Sequence, residues 1–328
     1  MKPSARWLLA GLAFGAAFLW LALRHTEPTQ ALAALARADW RLGLVTLLAG
    51  LGFMTFKGLR WSVLLRRVAP VNAGLLHRTL YIGAAANLVF AHVGELLRAT
   101  LLARRSGAGA SAVLATVAIE RIFDVAALVV LNALAIALDP RVSAKLGTAG
   151  LIGAAIVIAG VAGAFLLLRP APWMTRIGRA LLTPLPPRTR DWLIDQIHRS
   201  RTGLTALVDP VAAAQAGLLS LLQWGCVVGA IWASSAAIGE PVAMTGAVAV
   251  FVLLVLGLML PAPPAQIGTT QLAYVVGFGL VGSGADAAVA ASLIYTGLVV
   301  LPVRVIGGLL ALTMDWREPA PGREGDGG

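Results

Sequence analysis

Residues 79 to 103 are apolar enough to enter a bilayer, yet they contain the run Asn87-Leu88-Val89-Phe90-Ala91-His92-Val93-Gly94-Glu95-Leu96-Leu97-Arg98. A second apolar stretch, 111 to 138, holds Glu120-Arg121-Ile122-Phe123-Asp124. A charge in hydrocarbon costs at least ~2.5 kcal/mol unless it is paired or wetted, so such residues turn inward and mark a polar site inside a helix bundle. The chain must therefore fold as membrane helices around an interior that tolerates ions.

Composition supports the membrane setting. Hydrophobic residues make up 59% and charged residues only 12%, with a mean hydropathy of +0.84, whereas soluble domains carry about a quarter charged. The 328 residues leave room for roughly eight spans of about 20 residues and no large soluble domain. The net charge of +11 sits in short segments between apolar runs, a pattern set by membrane topology and anionic headgroups rather than by nucleic acid. The preponderance of Arg over Lys, with abundant Ala and Gly, points to a bacterial chain. The single Cys226 excludes an intrachain disulfide and any CxxC metal site. No Gly-x-Ser-x-Gly elbow, His-Glu-x-x-His pair or phosphate-binding Gly-Lys loop occurs, and Gly282-Ser283-Gly284-Ala285-Asp286 is one residue out of register for an intramembrane aspartyl protease. The expectation is a non-enzyme without cofactor or metal.

Trp7 to Leu23 reads as a retained first span with a cytoplasmic N-terminus, because Lys2 and Arg6 precede it and no small-x-small cleavage site follows. Leu42 to Phe56 forms a second span, and the acid-free segment from Lys57 to Arg78 is expected in the cytoplasm. Thr79 to Ala103 must then accommodate Glu95 and Arg98 and deliver Arg104 and Arg105 back to the basic side. A hairpin that enters and leaves by one face meets both demands, with its turn near Phe90 to Gly94. Further spans are expected at Ser111–Leu138, Gly150–Leu168, Val211–Ile238, Ala243–Leu260 and Ala287–Met314, the last with Pro302 and Arg304 near its middle. The Arg-rich connector at about 169 to 210 reads as cytoplasmic interfacial helices and 317–328 as a disordered polar tail. The fold class is thus all-α: one polytopic domain over 1–316, with seven or eight membrane segments, two of them broken or re-entrant.

The second break is Pro261-Ala262-Pro263-Pro264-Ala265-Gln266-Ile267-Gly268-Thr269-Thr270-Gln271, where three prolines in four positions cannot continue a helix. One break in each half of the chain is the pattern of a transporter-type site near mid-membrane, although residue identities do not repeat between the halves.

These segments carry a resemblance. Arg60-Trp61-x-x-Leu64-Leu65, the Asn87–Arg98 run with its GELLR core, the ERIFD block at 120–124 and the break at 261–271 together resemble the lysylphosphatidylglycerol synthase transmembrane-region, or flippase-like, family over roughly residues 5 to 315. Asn87, Gly94, Glu95 and Arg98 match the family's first break, with Phe90 at its proline position and His92 at its arginine position. Pro261, Pro264, Gly268 and Gln271 match its second, with Ala265 replacing glycine. The resemblance implies re-entrant helices and a role in moving or presenting a polar lipid, of phospholipid, hopanoid or polyprenyl type, across a bacterial inner membrane. It does not imply aminoacyl transfer, which belongs to a separate soluble domain in bifunctional relatives. The alternative is a non-transporting accessory subunit that binds a lipid-modifying enzyme.

Candidate site residues follow from the charges and the breaks. Arg98 either holds a lipid phosphate, with Glu95 orienting its guanidinium, or pairs with Glu95 only to lock a hairpin. Glu120, Arg121 and Asp124 either line the same route or neutralise Arg98 and Arg60; Glu120 and Asp124, four apart, share a helix face and Arg121 lies about 100° round. Asn87 is expected to cap broken backbone, and His92 to be an interior or interface histidine rather than a proton shuttle. Gln266 and Gln271 either donate to a headgroup or satisfy freed backbone beside Gly94's counterparts in the second break, Pro261, Pro263, Pro264 and Gly268. The expected partners are lipids with anionic or polar headgroups, together with a lipid-modifying enzyme under the accessory reading.

Overall fold

The structure is a computed structural model and describes residues 13, 15–24, 26–88, 93–138, 209–258 and 266–316. The expected Gly150–Leu168 span, most of the 169–210 connector, the 317–328 tail, and His92, Pro261, Pro263 and Pro264 lie outside the described residues. The described residues are helical: α1 (15–23), α2 (Pro28–Ala36), α3 (Trp40–Leu65), α4 (Ala73–Ala86), α5 (Val93–Ser106), α6 (Ala110–Leu138), α7 (Pro210–Ala237), α8 (Met244–Leu258), α9 (Thr269–Val281), α10 (Ala285–Tyr295) and α11 (Leu301–Leu312).

Among the described residues, four apolar helices are long enough to cross a bilayer: α3, α6, α7, and the continuous Ala285–Leu312 unit formed by α10 and α11. That last unit passes through a five-residue π turn, Thr296–Val300, just before Pro302. The wide turn lets the helix continue past a residue that has no amide donor. Local signals set the helix starts. Asp39 accepts from the Arg41 amide at 2.8 Å, Asn72 from Gly74 at 2.7 Å, and Asp209 from Val211 at 3.0 Å with Pro210 in the first turn.

Side-chain ties define two ends of the bundle. At the basic end Arg67 reaches Asp209 (2.8 Å), Arg66 reaches Gln215 (3.2 Å), Arg78 donates to the Thr313 carbonyl (2.5 Å) and Arg105 donates to the Asp315 carbonyl. At the opposite end the Asp39 amide donates to the Ala237 carbonyl (2.7 Å) and the Glu27 amide to Asp286 (2.6 Å). Helices α3 and α7 therefore run antiparallel across the whole molecule.

Helices α4 and α5 form the re-entrant hairpin expected from Thr79–Ala103. Each has 14 residues, about 21 Å of helix against a hydrocarbon core of about 30 Å. Both open ends sit at the basic end, through Arg78 and Arg105. Near the tip the limbs touch backbone to backbone: a Cβ on Gly94 would strike the Gly83 carbonyl and Asn87 Oδ1. The Asn87 side chain accepts from the Gly94 amide at 2.8 Å, which ties the end of α4 to the start of α5.

The expected Ala243–Leu260 span is corrected to one limb of a second hairpin. Helix α8 has 15 residues and α9 has 13, about 22 and 20 Å, too short to cross singly. Gly246 lies against Val281, Gly277 against Val250 and Gly257 against Thr269, so α8 and α9 run antiparallel with the break at their closed end. Val242 and Glu240, just before α8, bond to Ser235 near the end of α7, so this hairpin opens at the end opposite the first. Small residues make these close approaches possible, because packing rather than water exclusion drives helix association in lipid.

Each hairpin has its own core. Leu76, Leu80, Leu102 and Val113 pack with Trp61 and Leu65 around the first, and Phe251, Tyr274 and Phe278 pack with Ile231 and Val300 around the second. The closed ends lie at mid-depth. Gln271 reaches Thr296 and Arg304 reaches the Ala84 carbonyl, and these two points on the last span are about 16 Å and 12 Å from its respective ends.

Candidate functional site

Six of the sequence-derived candidates come together in one ion-pair network between α3, α5, α6 and α7. Its inner layer is fully enclosed. Arg60 donates to Asp124 (2.6 Å), Glu120 (3.2 Å) and the Ser220 hydroxyl (2.9 Å). Glu120 also accepts from Arg98, and Arg98 donates through Nε to Glu95 at 2.7 Å. The side chains of Arg60 and Glu120 are 0% exposed and that of Arg98 is 2% exposed. Arg98 stacks on Trp61, 4.2 Å from the ring centroid, and the Trp61 indole is fixed by Thr116 at 2.9 Å. Trp224 donates to Asp124 at 3.0 Å. Every carboxylate here therefore has more than one donor, the condition under which buried charges are tolerated.

The outer layer has different access. Glu95 pairs with Lys57 at 3.2 Å and with Arg121 at 3.4 Å, and Arg121 also meets Asp124 at 3.4 Å. The side chain of Arg121 is 51% exposed, against 14% for Lys57 and 18% for Glu95. Arg121 points away from the Glu120–Asp124 face because one residue turns the helix by about 100°. Among the described residues, four basic and three acidic side chains make up the network, leaving one net positive charge at its open edge. Arg98, a sequence candidate for phosphate binding, has the geometry of the hairpin lock, since its guanidinium is enclosed and engaged by Glu95, Glu120 and Trp61.

The remaining candidates lie elsewhere. Asn87 holds the first tip. Gln271 caps the second: its Oε1 accepts from the Gly268 amide at 2.7 Å and its Nε2 reaches Thr296 at 3.4 Å, so it satisfies freed backbone. Gly268 has φ +88° with α1 backbone at Gly15 and Leu19 pressed against it, so a side chain fits neither conformation nor space. Gln266, φ 61°, sits in the same tip. Neither glutamine is tied to the network by a contact among the described residues. Two shallow clefts, about 510 and 290 Å³, flank α3 at Ser62 and Arg66 near the basic end, and neither is lined by a network residue.

Sequence reasoning missed Lys57, Trp61, Ser220, Trp224 and Arg304 as site residues. Lys57 was legible in principle, three residues before Arg60 and hence on its face. Ser220 and Trp224 lie in an apolar helix, and only the tertiary fold brings them to Arg60 and Asp124. Arg304 donates to the Ala84 carbonyl at 2.6 Å and caps the interrupted end of α4.

The helix pattern, the two hairpins and the buried GELLR–ERIFD network agree with a match to the family described as the lysylphosphatidylglycerol synthase TM region, which covers residues 8–307. The chain belongs to that family. No curated protein matches it in sequence. Membership makes it a multi-pass membrane protein of a family linked to lipid modification, and the network is a polar centre within that membrane region.

Proposed function

We propose that the chain binds the phosphate of an anionic or polar lipid headgroup at the outer edge of the network and moves or presents that lipid across a bacterial plasma membrane. The observation that carries this reading is the half-exposed Arg121 beside Lys57, on a network with one uncompensated positive charge at its open edge. A guanidinium presents a fork that matches phosphate oxygens, and a neighbouring ammonium adds charge without fixing geometry. The two hairpins supply the path: they open at opposite faces, and the first residues of α5 and α9 direct their positive helix ends toward mid-depth, where a phosphate would pass.

The same reading orients the molecule. The basic end carries Arg66, Arg67, Arg78, Arg104 and Arg105 with Asp209 and Asp315, whereas the other end carries Arg24, Arg37 and Arg41 with Glu27, Asp39, Glu240 and Asp286. The positive-inside rule puts the first end in the cytoplasm, the side to which the sequence also assigns the N-terminus. The deciding experiment is translocation in proteoliposomes of headgroup-labelled phosphatidylglycerol and phosphatidylethanolamine. Native protein is expected to accelerate flipping, and Arg121→Gln and Lys57→Gln to slow it while remaining folded. Folded native protein that flips neither lipid would refute transport of these phospholipids and leave a narrower lipid specificity or the accessory role.

A further inference from the structure

The proposed headgroup edge already holds an anion of its own. Three cations converge on the Glu95 carboxylate: Lys57 at 3.2 Å, Arg98 at 2.7 Å and Arg121 at 3.4 Å. Arg98 keeps Glu120 and the Trp61 face when Glu95 is removed from the count. Lys57 does not, since Glu95 is its acid partner among the described residues, and among the same residues Arg121 is left with one contact, to Asp124 at 3.4 Å. Glu95 thus occupies the space between half-exposed Arg121 and the more enclosed Lys57, where a phosphate group would sit.

We propose that Glu95 is an internal counter-anion that a phosphate-bearing headgroup displaces, and that this exchange frees the tip of the first hairpin. The proposal rests on the reading of Lys57 and Arg121 as the headgroup site. Position supplies the coupling. Glu95 is the third residue of α5 and follows Gly94, whose amide is tied to Asn87 across the tip. Its pairs to Lys57 and Arg121 fasten this first turn to α3 and α6, and the next tie, Arg98 to Glu120, lies one turn further on. A ligand that takes over Lys57 and Arg121 unfastens the tip and leaves the inner layer intact. The device also sets specificity: a headgroup must compete with a carboxylate held by three cations, so phosphate charge that a neighbouring cation does not already neutralise is favoured.

The test uses the purified full chain in neutral detergent at low ionic strength, titrated calorimetrically with dihexanoylphosphatidylglycerol. Dihexanoylphosphatidylcholine and inorganic phosphate are the comparison arms. Glu95→Gln is expected to bind the phosphatidylglycerol about tenfold more tightly than native, within the usual range of coupling between linked sites, while Lys57→Gln and Arg121→Gln bind it more weakly. A second measurement follows alkylation of Leu88→Cys, next to the tip, in a Cys226→Ala background. The phosphatidylglycerol should raise the rate in the otherwise native chain, and Glu95→Gln should show the raised rate without ligand. If Glu95→Gln binds no more tightly than native while Arg121→Gln weakens binding, the counter-anion role is overturned and the headgroup site stands. If Lys57→Gln and Arg121→Gln both bind as native does, the headgroup site itself is overturned. Inorganic phosphate binding as tightly as the lipid would overturn the lipid assignment. Should Glu95→Gln fail to fold, a Leu88→Cys rate unchanged by the phosphatidylglycerol overturns the proposal on its own.

Discussion

Replacing Glu120 by Gln tests whether the inner layer holds the first hairpin to the bundle. Glu120 is fully enclosed and stands between two guanidiniums, Arg60 at 3.2 Å and Arg98 in direct contact. Removing one partner of a buried pair costs about 3–5 kcal/mol, because the other charge stays buried without compensation. Both arginines keep a second acid here, Arg60 in Asp124 and Arg98 in Glu95, which places the expected loss near 3 rather than 5 kcal/mol, as an order of magnitude. Arg121→Gln is the internal control: its side chain is half exposed and its pairs are 3.4 Å long, so solvent screening holds its cost below about 1 kcal/mol. The assay is equilibrium unfolding in mixed micelles, with both variants compared against native protein in one detergent series. The double variant Arg98→Met/Glu120→Leu should cost less than Glu120→Gln alone, since it leaves no enclosed guanidinium on α5 to be neutralised. Equal losses for Glu120→Gln and Arg121→Gln, or a loss under about 1 kcal/mol for the former, would refute the claim that enclosure makes this layer rigid.

Gly94→Ala should destabilise the protein by about 1–3 kcal/mol, the range for forced overpacking, because its Cβ meets the Gly83 carbonyl and Asn87; Gly109→Ala, with nothing within 4 Å, should cost less in the same unfolding assay. Gln271→Ala should cost about 1–3 kcal/mol by leaving the Gly268 amide without its acceptor, and Gln271→Glu, which keeps an acceptor, should lose less. The Asp209 carboxyl is held below the usual carboxylate range by the Ala212 and Val211 amides, with Arg67 adding to the effect. A lowered folded-state pKa means a contribution that is complete above the unfolded value of about 3.9 and lost as pH falls through the folded value. The stability difference between native protein and Asp209→Ala should therefore be constant above about pH 4 and shrink below it. For topology, Ser106→Cys and Gly239→Cys in a Cys226→Ala background should label from opposite sides of sealed vesicles. Labelling of both from one side would refute hairpins that open at opposite faces.

The sequence was most legible where charge conflicted with hydropathy. Glu95 and Arg98 inside an apolar stretch, with Arg104 and Arg105 just beyond, leave few alternatives to a hairpin, and the spacing of Glu120 and Asp124 places both on the face that meets Arg60. The second hairpin was half legible. Its prolines announce a break, but Met244–Leu258 is apolar throughout and hydropathy cannot tell a 15-residue limb from a span cut short. Only the small residues Gly246, Gly257 and Gly277, each against the opposite limb, reveal that the chain turns back. The division of the network into enclosed and accessible layers was not legible at all. It depends on Trp61, Ser220 and Trp224, and nothing in the sequence around them shows that they close over Arg98, Arg60 and Asp124.

That division also decides which charges can take part in handling a ligand. A guanidinium enclosed between two carboxylates and an indole can exchange partners only by leaving ions bare in a region of low dielectric, at a cost of several kcal/mol. Arg60 and Arg98 are therefore fixed parts of the scaffold, and their job is to hold α5 against α3 and α6. Lys57, Glu95 and Arg121 are less enclosed, and in the proposed exchange each arriving group replaces a departing one of the same sign. The tip of the first hairpin is attached through Glu95 to this exchangeable layer and through Arg98 to the rigid one. A short helix so attached can shift its first turn while its remaining turns stay in place. In a membrane, where backbone cannot be exposed to lipid, such a local shift is the least costly motion by which a broken segment can admit a charged group.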